Sequence, residues 1–486
     1  MRAIAATLAP RMDSKTAADR LGRWVAPVAA EAGRQLRRAG EAALSQTVRV
    51  AVTGLARSGK TVLTAALVQN LLLARERPTL MPFFAPAHER RLIGVERLPI
   101  RRRPSFPFVA VMERLSADPP AWPLSTSGIS ELRLAVAYRP RGVAARMVAD
   151  RAAVTLVIVD YPGEWLLDLP LLERSYEAWS AETLGLARTP PRDALARAFL
   201  AAVDAPLTNA PAEAEAERLS ALYTDYLRVC RAKPAALSFV QPGRFLLPGR
   251  EAEADPRLLR FAPLQAGSAR LHALMAERFE LYKRALVEPF FRDHFRRFDR
   301  QLVLVDLLSA LESGYDAFRD AERAMNAVLQ VYRYGRTGLI RRLFGARIDK
   351  VLFAATKADH ITPNQYNNLR ALLEAMAMRE GRFPGLEEGA LGFGLVAALK
   401  CTEPAMLRFQ GRPVEALRGV PVGQEEEQVL YPGEIPAHYP TPADWREGRF
   451  RFVDFLPPRR SDPTHQGVRA IYLDKALDFL IGDRFR

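Results

Sequence analysis

The octet Gly54-Leu55-Ala56-Arg57-Ser58-Gly59-Lys60-Thr61 constrains this chain more than any other stretch. It satisfies the pattern G-x-x-x-x-G-K-[ST] at every fixed position. The β-branched run Arg49–Thr53 before it reads as a short buried strand, and Val62, Leu63, Ala66, Leu67 and Leu71 after it recur at helical spacing. A strand that turns through glycines into a helix converges its backbone N–H groups on one point, where the helix adds the positive end of its dipole. The natural occupant is a polyphosphate. Gly54, Arg57, Ser58 and Gly59 then form the cradle, Lys60 reaches the β- and γ-phosphates as a point charge, and the Thr61 hydroxyl ligates Mg²⁺. A chance glycine turn before a helix has no reason to carry the Lys-Thr pair in register, so nucleotide binding is the expectation.

Further strands are expected at Glu131–Tyr138, Ala153–Val159, Arg300–Asp306, Lys350–Ala355 and within Leu391–Ala398. The run at 153–159 is almost wholly apolar, as a strand covered on both faces should be. It ends in Asp160-Tyr161-Pro162-Gly163. A carboxylate at the tip of a buried strand beside a phosphate loop is placed to hold Mg²⁺ through water, and Gly163 can bring a backbone N–H to the γ-phosphate. The run at 350–355 leads into Thr356-Lys357-Ala358-Asp359. These motifs all follow predicted strands, at the edge where open α/β sheets bind ligands.

At 486 residues the chain exceeds one ordinary hydrophobic core. The expected division is an amphipathic, arginine-rich helical segment at 1–46, a nucleotide-binding domain at 47–165 and 300–405, a mainly helical insertion at 166–299, and a β-containing appendage with a terminal helix at 406–486. Residues 75–128 read as a polar, proline-rich surface insertion. Arginines interleave there with Phe106 and Phe108, which can signal nucleic-acid contact, but no recognised nucleic-acid module accompanies them. The net charge of +15 favours polyanionic neighbours: nucleotide phosphates, nucleic acid or an anionic membrane face. Two cysteines, Cys230 and Cys401, suit a reducing cytosol, no stretch is long and apolar enough to span a bilayer, and the first nine residues imitate a signal peptide only faintly. A cytoplasmic location follows; the 1–46 segment reads first as a helix packed on the nucleotide-binding domain with a solvated basic face, and second as a peripheral contact with the anionic inner membrane.

The order of phosphate loop, Thr126, Asp-x-x-Gly at 160–163 and Thr-Lys-Ala-Asp at 356–359 resembles GTP-binding proteins of the Ras-like class. Together with Trp122-Pro123, Ser130-Glu131-Leu132-Arg133-Leu134, Asp-Tyr-Pro-Gly-Glu-Trp at 160–165 and Thr-Lys-Ala-Asp-His at 356–360, it resembles more closely the YcjX-like family of bacterial P-loop proteins. The matches spread over roughly residues 45–405. The resemblance implies an α/β fold, a P-loop NTPase of Ras-like type with a mixed sheet, acting on GTP and Mg²⁺ and connected with bacterial envelope stress. It implies that Thr126 closes on Mg²⁺ and the γ-phosphate as a switch threonine, with Asp160 and Gly163 forming the second switch. Thr356 opens the base loop, Lys357 lies along the purine, Asp359 accepts guanine N1–H and the exocyclic amine, and Ala398, Leu399 and Lys400 support the base edge. Adenine lacks that donor pair, and a buried carboxylate left unmatched makes the wrong base costly.

Three positions depart from the common pattern. Thr356 stands in place of Asn; Glu164 stands where many such GTPases carry a water-positioning Gln, and can act as a base or repel the γ-phosphate; Arg57 can supply in cis the charge of an arginine finger or point into solvent. The expected function is slow hydrolysis of GTP to GDP as a molecular switch, with a protein partner that the sequence does not name. An ATPase, and a nucleotide-regulated inner-membrane adaptor with incidental hydrolysis, are the alternatives.

Overall fold

The computed structural model describes residues 46–55, 58–100, 103–124, 128–141, 151–205, 210–265, 269–334, 348–379, 389–409, 411–459 and 466–486. The helical segment expected at 1–46 therefore lies outside the described residues, apart from Gln46. Seven strands form the main sheet: β1 (Gln46–Gly54), β2 (Leu92–Leu98), β3 (Ser130–Tyr138), β4 (Ala152–Asp160), β5 (Arg300–Val305), β6 (Lys350–Ala355) and β7 (Leu391–Leu395), in the order β2-β3-β4-β1-β5-β6-β7. Strands β4, β1, β5, β6 and β7 are parallel, while β3 runs antiparallel to β4 and β2 antiparallel to β3. The registers Val52 to Asp160, Gly54 to Leu304 and Val305 to Ala355 bring the carboxyl ends of four strands to one edge.

Alternation along each strand divides the core in two. Val48, Val50 and Val52 of β1, Leu156 and Ile158 of β4, Leu302 and Leu304 of β5, and Leu352 and Ala354 of β6 pack on one face. Ala51, Val157, Val159, Val303, Val305, Val351 and Phe353 pack on the other. With both faces covered, most positions along the central strands are apolar, and each fully buried Val or Leu side chain contributes about 1.5–3 kcal/mol. The first face is covered by the helix α1 (Lys60–Leu73) and by residues of a C-terminal helix described below.

The second face carries the helical span between β4 and β5, whose longest pieces are α2 (Ala212–Arg231) and α3 (Ala269–Tyr282), together with α4 (Tyr315–Tyr334) and α5 (Tyr366–Met378). Aromatic rings fill this span: Trp179 stacks on Phe279 at 5.0 Å and meets Phe261 edge-on at 5.5 Å. Buried Asp168 ties its start to its middle, accepting from Gly243 N at 2.7 Å and Tyr282 Oη at 2.6 Å. Burial pushes the Asp168 carboxyl up to about 6 even though these donors favour the charged form.

Residues 75–128 are not the surface insertion read from the sequence. They supply β2 and the helix Phe108–Leu115, and bury Met81, Phe84, Phe106, Phe108, Val111, Met112 and Leu115. Among the described residues part of the arginine and aromatic interleaving is packing: the Arg97 guanidinium lies 4.8 Å from the Phe108 ring centre. Prolines cut the segment into pieces too short to show a clear period. At the C-terminal end, β8 (Glu403–Phe409), β9 (Arg412–Gly419) and β10 (Gln428–Leu430) form a small antiparallel sheet. The last helix, α6 (Leu473–Ile481), belongs to the main core, with Leu473, Leu477 and Leu480 packed in the same cluster as Val50 and Leu302. Among the described residues no helix is long and apolar enough to cross a membrane.

Candidate functional site

A cleft of about 430 Å³ opens at the carboxyl edge of the sheet. Its lining joins pieces far apart in sequence: Gly54, Leu55 and 58–61, Trp122, Gly163 and Glu164, Arg231, the 356–360 turn, Ala398 and Leu399, and Asp454 with Phe455.

The glycine-loop side is built by close backbone approach. The chain leaves β1 at Gly54, Leu55 N donates to Leu304 O at 3.1 Å, and Gly59 takes φ 72°, the left-handed region that lets α1 start in a new direction. A Cβ on Gly163 would come within 2.0 Å of Gly54 O, so these two segments touch backbone to backbone. Ser58 and Thr61 are nearly covered, whereas Lys60 keeps part of its surface open. The Lys60 ammonium lies 3.0 Å from Asp160 Oδ1 and donates to Tyr161 O at 2.6 Å. Asp160 is 1% exposed at the tip of β4, beside the loop as the sequence predicts. Glu164 is also buried, with Oε1 2.6 Å from Arg231 Nη2. Two of the sequence candidates, Arg57 and Thr126, lie outside the described residues.

The opposite side is built on β6 and β7. Thr356 N donates to Val305 O at 3.0 Å, which joins the end of β6 to that of β5. Lys357 then adopts φ 58°, a conformation unfavourable for a side-chain-bearing residue. Its ammonium is held 2.9 Å from Asp306 Oδ2 and 2.7 Å from Asp454 Oδ1. Burial pushes this lysine down, but the two carboxylates outweigh it and hold it above the usual lysine range. Asp359, 3% exposed, accepts from Cys401 N at 2.8 Å through Oδ2, and its carbonyl accepts from the Thr402 hydroxyl. Ala398 and Leu399 line the cleft just before that contact.

The cleft thus gathers Gly54, Ser58, Gly59, Lys60, Thr61, Gly163, Glu164, Thr356, Lys357, Asp359, Ala398 and Leu399, with Asp160 reached through Lys60. Sequence reasoning missed Arg231, Asp306, Asp454 and Phe455. Asp306 had a signal, a carboxylate just past a buried parallel strand. Arg231 and Asp454 had none, because each stands in a segment with no motif and reaches the cleft only through tertiary packing.

The model of the YcjX-like family matches residues 48–485. The chain is similar to a protein of Escherichia coli K12 named Ras-like GTPase YcjX, 39% identical over 458 residues, which cover 90% of this chain and 96% of that one. It is also similar to a Shewanella oneidensis protein of the same name, 37% identical over 466 residues, covering 90% and 94%.

Proposed function

The chain belongs to the YcjX-like family, and from that premise we propose that its cleft binds GTP with Mg²⁺ and hydrolyses it slowly to GDP, as a switch on a P-loop fold of Ras-like type. The observation that carries the proposal is that Lys60 of the glycine loop and Asp359 of Thr-Lys-Ala-Asp line one cleft at one sheet edge. Phosphates at the first and guanine at the second account for both ends of a single nucleotide. The central place of β1 among parallel strands, with an antiparallel pair at one edge, supports the fold assignment.

On this reading a triphosphate draws the Lys60 ammonium from Tyr161 O and Asp160 onto its β- and γ-oxygens. Thr61 and Asp160 offer hard oxygen donors, and among the described residues no group of three or more His, Cys, Asp or Glu side chains could hold a metal by itself. That donor set fits Mg²⁺, which takes few protein ligands and completes its shell with water and phosphate oxygens. The ion supplies charge neutralisation on the β- and γ-phosphates. Thr126 is proposed to close on the same group, Gly163 to offer its N–H, and Arg57 remains a candidate for a charge from the loop itself. At the base, Asp359 receives the guanine donors and the Lys357 stem lies along the ring, its head fixed by Asp306 and Asp454. The chemical step is in-line attack of water: the water oxygen bonds to Pγ, the bond from Pγ to the bridging oxygen breaks with its electron pair leaving on GDP, and the water proton ends on phosphate. Glu164 puts a carboxylate where the attacking water would be ordered, which favours slow turnover. The envelope-stress setting implied by resemblance belongs to the same proposal.

Phosphate release from GTP in the presence of Mg²⁺ tests this. The expected rate is about 10⁻⁴–10⁻² s⁻¹, the range of GTPases working without a partner, with inhibition by GDP and none by ADP at equal concentration. Equal use of ATP, or no hydrolysis of GTP, contradicts it.

A further inference from the structure

We infer that Arg231 is a catalytic cation for this hydrolysis, supplied in cis by the helical span and held at the cleft by Glu164 until a γ-phosphate takes its place. The inference rests on the reading of the cleft as a GTPase site. Arg231 is the last residue of α2, and its guanidinium sits 2.6 Å from the Glu164 carboxylate on the wall shared with the phosphate loop. Two residues on, the Lys233 ammonium lies 3.5 Å from Asp454 Oδ2, so the end of this helix is tied to both sides of the cleft.

The position of Glu164 is set by backbone packing on two sides. A Cβ on Gly163 would come 2.0 Å from Gly54 O, and a Cβ on Gly243 would come 2.2 Å from Glu164 O. The Glu164 backbone is therefore wedged between the phosphate loop and the helical span, and the guanidinium it holds is fixed relative to where phosphates would lie. The two partners differ in freedom: the Glu164 side chain is 6% exposed, that of Arg231 31%. The arginine is the partner that can swing. A γ-phosphate carries more charge than a carboxylate and offers a planar guanidinium two parallel contacts, so the exchange is favoured once a triphosphate is present. As the Pγ bond to the bridging oxygen breaks, negative charge grows on that oxygen and the guanidinium meets it without gaining or losing a proton.

The same ion pair could serve only to latch the helical span onto the sheet, and Arg231→Lys separates the two roles. Lysine keeps the pair with Glu164 but lacks the guanidinium fork. Arg231→Ala is expected to lower kcat for GTP about 10²–10³-fold while Kd for GDP, which lacks the γ-phosphate, stays within about threefold, and to lose the tight binding of GDP with aluminium fluoride that mimics the transition state. Arg231→Lys is expected to remain at least about tenfold slower than wild type. Full turnover by Arg231→Lys, or by Arg231→Ala, overturns the inference and leaves a latch. Failure of the wild type to bind or hydrolyse GTP is a different result, and removes the reading of the site itself.

Discussion

Lys60→Ala should weaken GTP binding about 10²–10⁴-fold and abolish measurable turnover. Two charge-assisted contacts to the β- and γ-phosphates, at about 1.5–3 kcal/mol each, are lost together. The structure adds a second consequence. The Lys60 ammonium is 3.0 Å from Asp160 Oδ1, and the Asp160 side chain is 1% exposed, so the variant leaves a buried carboxylate without that cation. Breaking a buried pair by removing one partner is destabilising, here by about 1–3 kcal/mol because Lys60 is partly open to water. Thermal unfolding should show this loss, and the Lys60→Ala, Asp160→Asn double variant should recover much of it without recovering binding. A fluorescent-nucleotide titration beside the melting curves checks both parts, and unchanged affinity in Lys60→Ala would remove the phosphate assignment.

Asp359→Asn should turn preference from GTP toward XTP. The direction follows from the geometry of the side chain. One carboxylate oxygen already accepts from Cys401 N at 2.8 Å. In the variant the amide oxygen is the only acceptor, so it keeps that contact and the NH₂ faces the cleft. An amide donor opposes the exocyclic amine of guanine but suits the carbonyl that xanthine carries at the same place. GTP should lose about 1–3 kcal/mol, roughly 5- to 150-fold in affinity. Competition of GTP, ATP and XTP against one labelled nucleotide reads the change directly, and retention of full GTP preference would remove Asp359 as the base reader.

What was legible in the sequence was local. The strands at 152–160 and 300–305 show as mostly apolar runs because helices cover both their faces, and the octet at 54–61 shows because its chemistry needs fixed residues at fixed spacing. Strand β2 was hidden: it lies at the sheet edge, it is mostly half-buried, and it carries Glu96 and Arg97. The segment around it read as surface for the same reason, although Phe106 and Phe108 lie in the core. At the site, motifs at strand ends could be read one by one, but the residues that fix them could not. Asp454 holds Lys357 and Arg231 holds Glu164 across long stretches of chain, and only the packing of the helical span and of the C-terminal segment against the sheet brings them there.

The proposed function requires one cleft to read phosphate with Lys60 and guanine with Asp359. Calorimetric titration of the purified chain with GDP and with ADP, in Mg²⁺, tests it most directly. One site per chain is expected for GDP, with affinity for ADP at least about a hundredfold weaker, since adenine leaves the Asp359 carboxylate without its two donors. Equal affinity for the two, or no heat with either, would contradict it.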